Sequence, residues 1–230
     1  LVWPAASALA QAEPVAGAGA DGADDQTLRL APAADATVDQ FNPNTNFGAD
    51  DQLRAGVTAI GELSFDTDTL LRWDVSAIPP GSIIHAADLG LYQTGGGTDE
   101  LLIYRVLDAW EEGAITWNTL PDGTIYDRTW TPEAAANQYV RHDVTGLVDE
   151  WVNGGGNPPN NGVLLRPGGQ LQTRTFRSRE DPAKTPPVLR VRFTLPSIRV
   201  CVGGADPCTP AAGAEVFSAG GDPIAVADAN

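Results

Sequence analysis

Between residues 28 and 195 the chain is written as short runs of alternating apolar and polar side chains, and this period of two constrains its fold most. The last run is the plainest. Leu189, Val191 and Phe193 fall on one side, and Arg190, Arg192 and Thr194 on the other. Leu71, Trp73 and Val75 alternate with Arg72 and Asp74 in the same way, and Leu89 and Leu91 flank Gly90. Successive side chains of an extended strand point to opposite faces, so each run describes a strand with one face on a core and one in solvent. Pro79-Pro80-Gly81, Gly95-Gly96-Gly97 and Asn157-Pro158-Pro159-Asn160 mark where the chain crosses over. The pattern predicts an all-β fold, an antiparallel jelly-roll-like β-sandwich. Its expected core holds Leu71, Trp73, Val75, Leu89, Leu91, Trp117, Leu147, Trp151, Leu189, Val191 and Phe193.

One segment departs from the period. From Thr145 the sequence pairs Leu147 with Trp151 and Val148 with Val152 at i,i+4 spacing, which is the spacing of one helix face. Thr145 is the expected N-cap and Gly154 the expected stop, so a short helix is predicted near 146–153, with Asp149 and Glu150 facing solvent.

Several short motifs follow one another in order. They are Pro43-Asn44-Thr45-Asn46-Phe47-Gly48, Leu71-Arg72-Trp73-Asp74-Val75 and Ala87-Asp88-Leu89-Gly90-Leu91-Tyr92. Trp110-Glu111-Glu112 leads to Ile115-Thr116-Trp117-Asn118, and Asp143-Val144-Thr145 precedes Trp151. Phe176-Arg177-Ser178-Arg179-Glu180 and Leu189-Arg190-Val191 close the series. In order and spacing this resembles the DNRLRE-type extracellular β-sandwich modules, a group that overlaps one class of carbohydrate-binding modules. The resemblance implies a secreted, non-catalytic module, extracellular or at the cell surface.

The flanks read differently. Residues 1–27 form a low-complexity tail of Ala, Gly and Asp, in which Leu1-Val2-Trp3 and Ala8-Leu9-Ala10 resemble the end of a signal peptide. Methionine is absent, position 1 included, so a processed chain or a fragment is expected. Such a tail buries too little apolar surface to order itself, and a partner would have to hold it. Leu1, Val2, Trp3 and Val15 are its expected anchors. After Pro196, alternation restarts at Ile198, Val200 and Val202, so residues 196–230 form a small C-terminal β unit. This unit resembles the opening strands of a carboxypeptidase-regulatory-like Ig-type module. Cys201 and Cys208 enclose a turn sequence with two glycines, and an intrachain disulfide is expected there.

Charge excludes one partner class. Of fourteen basic residues only Lys184 is a lysine, and the net charge is -16. Affinity for phosphate backbones needs clustered Lys and Arg, so nucleic acid is not a partner. A Lys-poor acidic surface suits a salty or Ca²⁺-rich exterior, and a GC-rich genome writes the same composition. No apolar run reaches the roughly 20 residues of a spanning helix, and no membrane span is expected.

Catalytic constellations are not found. There is no G-x-S-x-G elbow and no Walker loop, and His85 and His142 alone do not make a metal triad. With thirty carboxylates, adjacent acids such as Glu111-Glu112 arise by chance, so no enzyme is expected. No cofactor is required. Calcium stays open at two oxygen-rich loops, the one with Asn42, Asn44 and Asn46 and the one at Phe65-Asp66-Thr67-Asp68, although neither follows the EF-hand pattern. Trp110, Tyr126 and Trp130 are the candidate sugar contacts, since flat aromatic faces stack on the C–H surface of sugar rings. The competing reading of Trp110 and Trp117 is that they fill the core.

Two functions therefore stand side by side. The first is an extracellular structural subunit, a homo-oligomer or polymer built into a filament or surface layer by terminal strand exchange. The second is a carbohydrate-binding module of a larger secreted protein with polysaccharide as its partner.

Overall fold

The computed structural model describes residues 25–97, 100–132, 135–156, 159–169, 171–196, 215–217 and 223–226. The chain divides into two units, Leu1–Leu195 and Pro196–Asn230. In the first, eleven strands form one antiparallel sheet that folds over into a sandwich. They are β1 (Asp25–Leu30), β2 (Ala34–Asp39), β3 (Gln52–Ile60), β4 (Leu63–Arg72), β5 (Ile83–Gly95), β6 (Leu101–Val106), β7 (Gly123–Trp130), β8 (Gln138–Asp143), β9 (Val163–Pro167), β10 (Thr173–Arg177) and β11 (Val188–Thr194). The hydrogen-bonded order is β1-β11-β5-β10-β3-β4-β9-β6-β7, with β2 on β4 and β8 on β5. In the second unit β12 (Glu215–Phe217) pairs antiparallel with β13 (Pro223–Val226).

The corner of the sandwich is β4. Its first half pairs with β3, from Ile60↔Leu63 to Gly56↔Thr67, and its second half with β9, from Thr69↔Leu165 to Leu71↔Val163. β2 lies along the other edge, from Val38↔Asp68 to Asp35↔Leu71. Thr37 and Thr69 close the corner: Thr37 Oγ1 accepts from Arg54 N at 3.0 Å, and Thr69 Oγ1 donates to Arg54 O at 2.7 Å.

Alternation decides which side chains fill the main core. Leu89 and Leu91 of β5, Phe176 of β10, and Leu189, Val191 and Phe193 of β11 meet Leu71, Ile103, Val163 and Leu165 from the other layer. Each such side chain contributes about 1.5–3 kcal/mol by leaving water. A second apolar cluster lies on the opposite face of β2, β4, β9 and β6. It holds Ala36, Val38, Leu70 and Leu164, capped by Trp110 and Ile115 of the 107–122 connection. Where both faces of a strand are buried by apolar neighbours the sequence runs apolar without a break, as in Val163-Leu164-Leu165 of β9, whereas β2 places Asp35 and Thr37 on its second face.

The helix α1 spans Thr145–Asn153 and buries Leu147, Val148, Trp151 and Val152, as the i,i+4 spacing requires. Its N-cap is Val144, without a side-chain bond, and not Thr145. The Thr145 hydroxyl accepts instead from Ala87 N at 2.9 Å, tying the helix to β5. Glu150 turns to Arg105 as an ion pair, while Asp149 stays exposed. Every residue of the expected core is buried except Trp117. Trp117 opens a 3-10 turn, Trp117–Thr119, and lies half-buried against the second cluster. Leu1, Val2, Trp3, Val15, Cys201 and Cys208 lie outside the described residues. No helix among the described residues is long and apolar enough to cross a membrane.

Candidate functional site

The β3–β4 hairpin projects beyond the corner, and the 40–51 loop between β2 and β3 rises beside it. Between them runs a groove of about 290 Å³ lined by Asp39, Phe41, Phe47, Arg54, Phe65 and Thr173, among others. Phe41 is 53 % exposed, and it meets Phe65 edge to face with ring centroids 5.0 Å apart. The Arg54 guanidinium lies over the Phe47 ring at 5.3 Å. Ile60 and Leu63 extend the apolar surface to the hairpin tip, 47 % and 65 % exposed. Aromatic faces with a few fixed polar groups between them are what a sugar chain needs from a protein surface.

The loop that carries Phe41 and Phe47 is held by its own side chains. Asp39 Oδ1 accepts from Phe41 N at 2.9 Å and Oδ2 from Asn42 Nδ2 at 2.8 Å. Asn46 Nδ2 donates to Glu112 O and Ile115 O, both at 2.7 Å, and Asn118 Nδ2 donates to Asn44 Oδ1 at 2.8 Å. Gly48 is required here, since a Cβ would stand 2.3 Å from Glu112 O. The Asn-rich loop and the Trp110–Asn118 motif thus clamp one another. Serine 178 adds a third point, its Oγ donating to Asp50 O at 2.6 Å. The amide groups of Asn42, Asn44 and Asn46 are engaged in holding the groove wall.

The expected sugar contacts lie elsewhere. Trp130 is 4 % exposed, part of the main core, with His142 at 5.3 Å between ring centroids. Trp110 is also 4 % exposed. Its Nε1 donates to Asn161 O at 2.9 Å, and the Arg72 guanidinium covers its ring at 5.4 Å. Trp110 borders a shallow dent of about 310 Å³ on the 107–122 connection, but buried rings offer a sugar no face. Tyr126 is half-buried, and its hydroxyl accepts from Leu147 N at 3.2 Å, which anchors the start of α1. The structure does not bring these three together at a surface. The rings that line the groove are phenylalanines from the 40–51 loop and β4, and no local pattern in the sequence singles them out.

Two carboxyls are buried in β2 and β4, Asp68 near the groove and Asp35 away from it. Asp68 of β4 pairs with Arg166 Nε at 2.7 Å, and burial above all pushes its pKa up to about 7 against the pull of that arginine. At the far end of β2, Asp35 is pushed up to about 8, first by burial. The Arg179 N–H bond opposes this, whereas Glu180 and Glu112 add to it. Burial likewise raises Glu112.

Residues 26–193, from β1 into β11, match the profile of carbohydrate-binding module family 96. The chain belongs to carbohydrate-binding module family 96. That span takes in all eleven strands of the first unit, both clamped loops and the groove. No curated protein matches the chain.

Proposed function

We propose that this family 96 module binds an uncharged polysaccharide of the cell exterior along the groove between the β3–β4 hairpin and the 40–51 loop. The observation that carries the reading is a groove lined by three phenyl rings, the exposed Phe41 and the half-buried Phe47 and Phe65, with Asp39 and Arg54 among them. The rings supply stacking faces, and the polar side chains supply hydroxyl partners. A net charge of -16 disfavours polyanionic chains, and the one aspartate and one arginine of the groove balance each other. The role is non-catalytic, and the module serves a larger secreted protein by holding it on its substrate or surface. The resemblance to DNRLRE-type modules supports the extracellular placement. The family match supports this reading over that of a filament-forming subunit.

Affinity electrophoresis against neutral glucans, mannans and galactans, with polyuronates alongside, tests the proposal. At least one neutral polysaccharide retards the protein. The double substitution Phe41→Ala with Phe65→Ala weakens that binding tenfold or more, about 1.4 kcal/mol, while leaving the chain folded. Retardation by polyuronates alone, or an unaffected double variant, would sink the groove assignment.

A further inference from the structure

We propose that Asp35, Glu112 and Glu180 form a divalent-cation site, for Ca²⁺ by the hardness of its donors, that fastens β2 to the two segments packed against it. Asp35 opens β2, Glu112 belongs to the 107–122 connection, and Glu180 follows β10. One oxygen of each lies within 4.8 Å of the others. A second, independent observation separates this group from an ordinary acidic cluster. Asp35 is 1 % exposed, and its Oδ1 is buried with no hydrogen-bond partner. Glu180 Oε2 is buried without a partner as well.

The other oxygens are all engaged. Asp35 Oδ2 accepts from Arg179 N at 2.9 Å, and Glu112 Oε1 accepts from Asp35 N at 2.8 Å. The Arg179 guanidinium takes Glu112 Oε2 at 2.8 Å and Glu180 Oε1 at 2.7 Å, and also donates to Ala33 O. Three carboxylates thus share the Arg179 guanidinium, with Arg72 attracting Glu112 as well, so acids outnumber bases here and two carboxylate oxygens stay orphaned under cover. Buried charge persists only when paired, and a divalent cation supplies the missing amount. All side-chain donors are carboxylate oxygens, the set that selects calcium over softer metals. The site lies away from the groove, at the other end of β2, and does not depend on what the groove binds.

The test uses the full chain stripped with EDTA. Calcium is titrated calorimetrically, and thermal unfolding is followed at matched ionic strength with NaCl and MgCl₂ as references. One Ca²⁺ binds per chain, and at hundredfold excess over Kd the midpoint rises by roughly 5–10 °C. Magnesium gives a smaller rise, because it demands stricter octahedral geometry. Asp35→Asn and Glu180→Gln each abolish the calcium increment. Glu180 is partly exposed, so its variant folds even if Asp35→Asn does not. Absence of calcium binding in the intact chain overturns the site. So does an increment that NaCl reproduces or that both variants retain, which is general screening. A chain stabilised by acid and indifferent to calcium overturns it too, and makes the occupant a proton.

Discussion

The two ends of β2 carry the same kind of residue in opposite settings. At one end Asp39 sits on the rim of an open groove, both its oxygens accepting bonds from the loop that follows. At the other end Asp35 is sealed, with one oxygen orphaned and two further carboxylates around a single arginine. Aromatic residues divide along the same line. Beside Asp39 the phenyl ring of Phe41 is exposed and that of Phe65 half-buried, whereas Trp110, in the connection that carries Glu112, is sealed, covered by Arg72 and bonded to Asn161. The comparison separates two uses of similar side chains. In the proposed function, exposed rings with satisfied polar neighbours are the ones that meet a ligand. Sealed rings with unbalanced charge hold the molecule together, with help from whatever balances the charge.

The sealed end is broken most directly at Trp110. Replacing it with Ala empties a large volume beneath the 107–122 connection and orphans Asn161 O. Truncations of this kind cost about 3–5 kcal/mol, read as a fall in the urea midpoint at unchanged slope. Loss of that size at Trp110, beside a folded Phe41→Ala and Phe65→Ala variant, makes the division between the two ends quantitative. If Trp110→Ala stays stable but stops binding polysaccharide, the ring belongs to the binding surface and the division is wrong.

How much of this was legible in the sequence depends on what reports on burial. Period-two alternation reports directly, which is why Leu71, Trp73, Leu189, Val191 and Phe193 lie in the core as expected. The helix was legible by its i,i+4 pairs, but its cap was not. Thr145 has two uses for its hydroxyl, and the partner on β5 is distant in sequence. Residue type reports poorly on exposure within loops. Trp117 was expected in the core and Trp110 and Trp130 as sugar contacts, yet Trp110 and Trp130 are sealed and Trp117 is half-buried, because the 107–122 connection folds back onto the outer face of β2, β4, β9 and β6 and Trp130 joins the main core. Phe41, Phe47 and Phe65 are ordinary phenylalanines scattered over twenty-odd positions, and only the hairpin and the clamped loop bring them together. The amides of Asn44 and Asn46 staple their loop to the 107–122 connection, a pairing over about seventy positions that no local pattern announces. Carboxylate clustering was invisible for the same reason: Asp35, Glu112 and Glu180 come from three distant segments.

Between the two ends, opposite Val38, lies Asp68, whose setting sharpens the contrast. It is as buried as Asp35 and also has an orphaned Oδ1, yet Arg166 answers its charge one to one. Asp66 adds repulsion, and Tyr104 lies under the Arg166 guanidinium. A carboxyl whose folded pKa is raised stabilises the fold fully below its unfolded value, near 3.9, and loses that contribution as pH rises through about 7. Asp68→Asn imitates the protonated form at every pH. The variant and the parent therefore unfold alike near pH 4, and above pH 7 the variant is the more stable by up to about 4 kcal/mol. A variant destabilised at pH 8 would mean that the Arg166 pair outweighs burial, and burial without surplus charge would then be harmless.

The smallest effect decides whether the open end is preformed. Asp39 bonds the backbone of Phe41 and the side chain of Asn42, the local geometry by which an aspartate fixes the turn that follows it. Removing both bonds in Asp39→Ala costs about 1 kcal/mol of stability, since each partly exposed bond is worth roughly half that or a little more. The larger consequence is for the ring: Phe41 no longer stands edge-on to Phe65, and polysaccharide affinity falls a few-fold as the loop must be ordered on binding. Asp39→Asn keeps an oxygen for Phe41 N but gives up a carboxylate oxygen, so it restores the turn and most of the affinity. Thermal unfolding and affinity electrophoresis on the two variants read stability and binding separately. If Asp39→Asn keeps full stability yet binds as poorly as Asp39→Ala, the carboxylate itself meets the sugar. Asp39 is then a ligand contact, and the open end differs from the sealed one in what its charge touches as well as in how it is balanced.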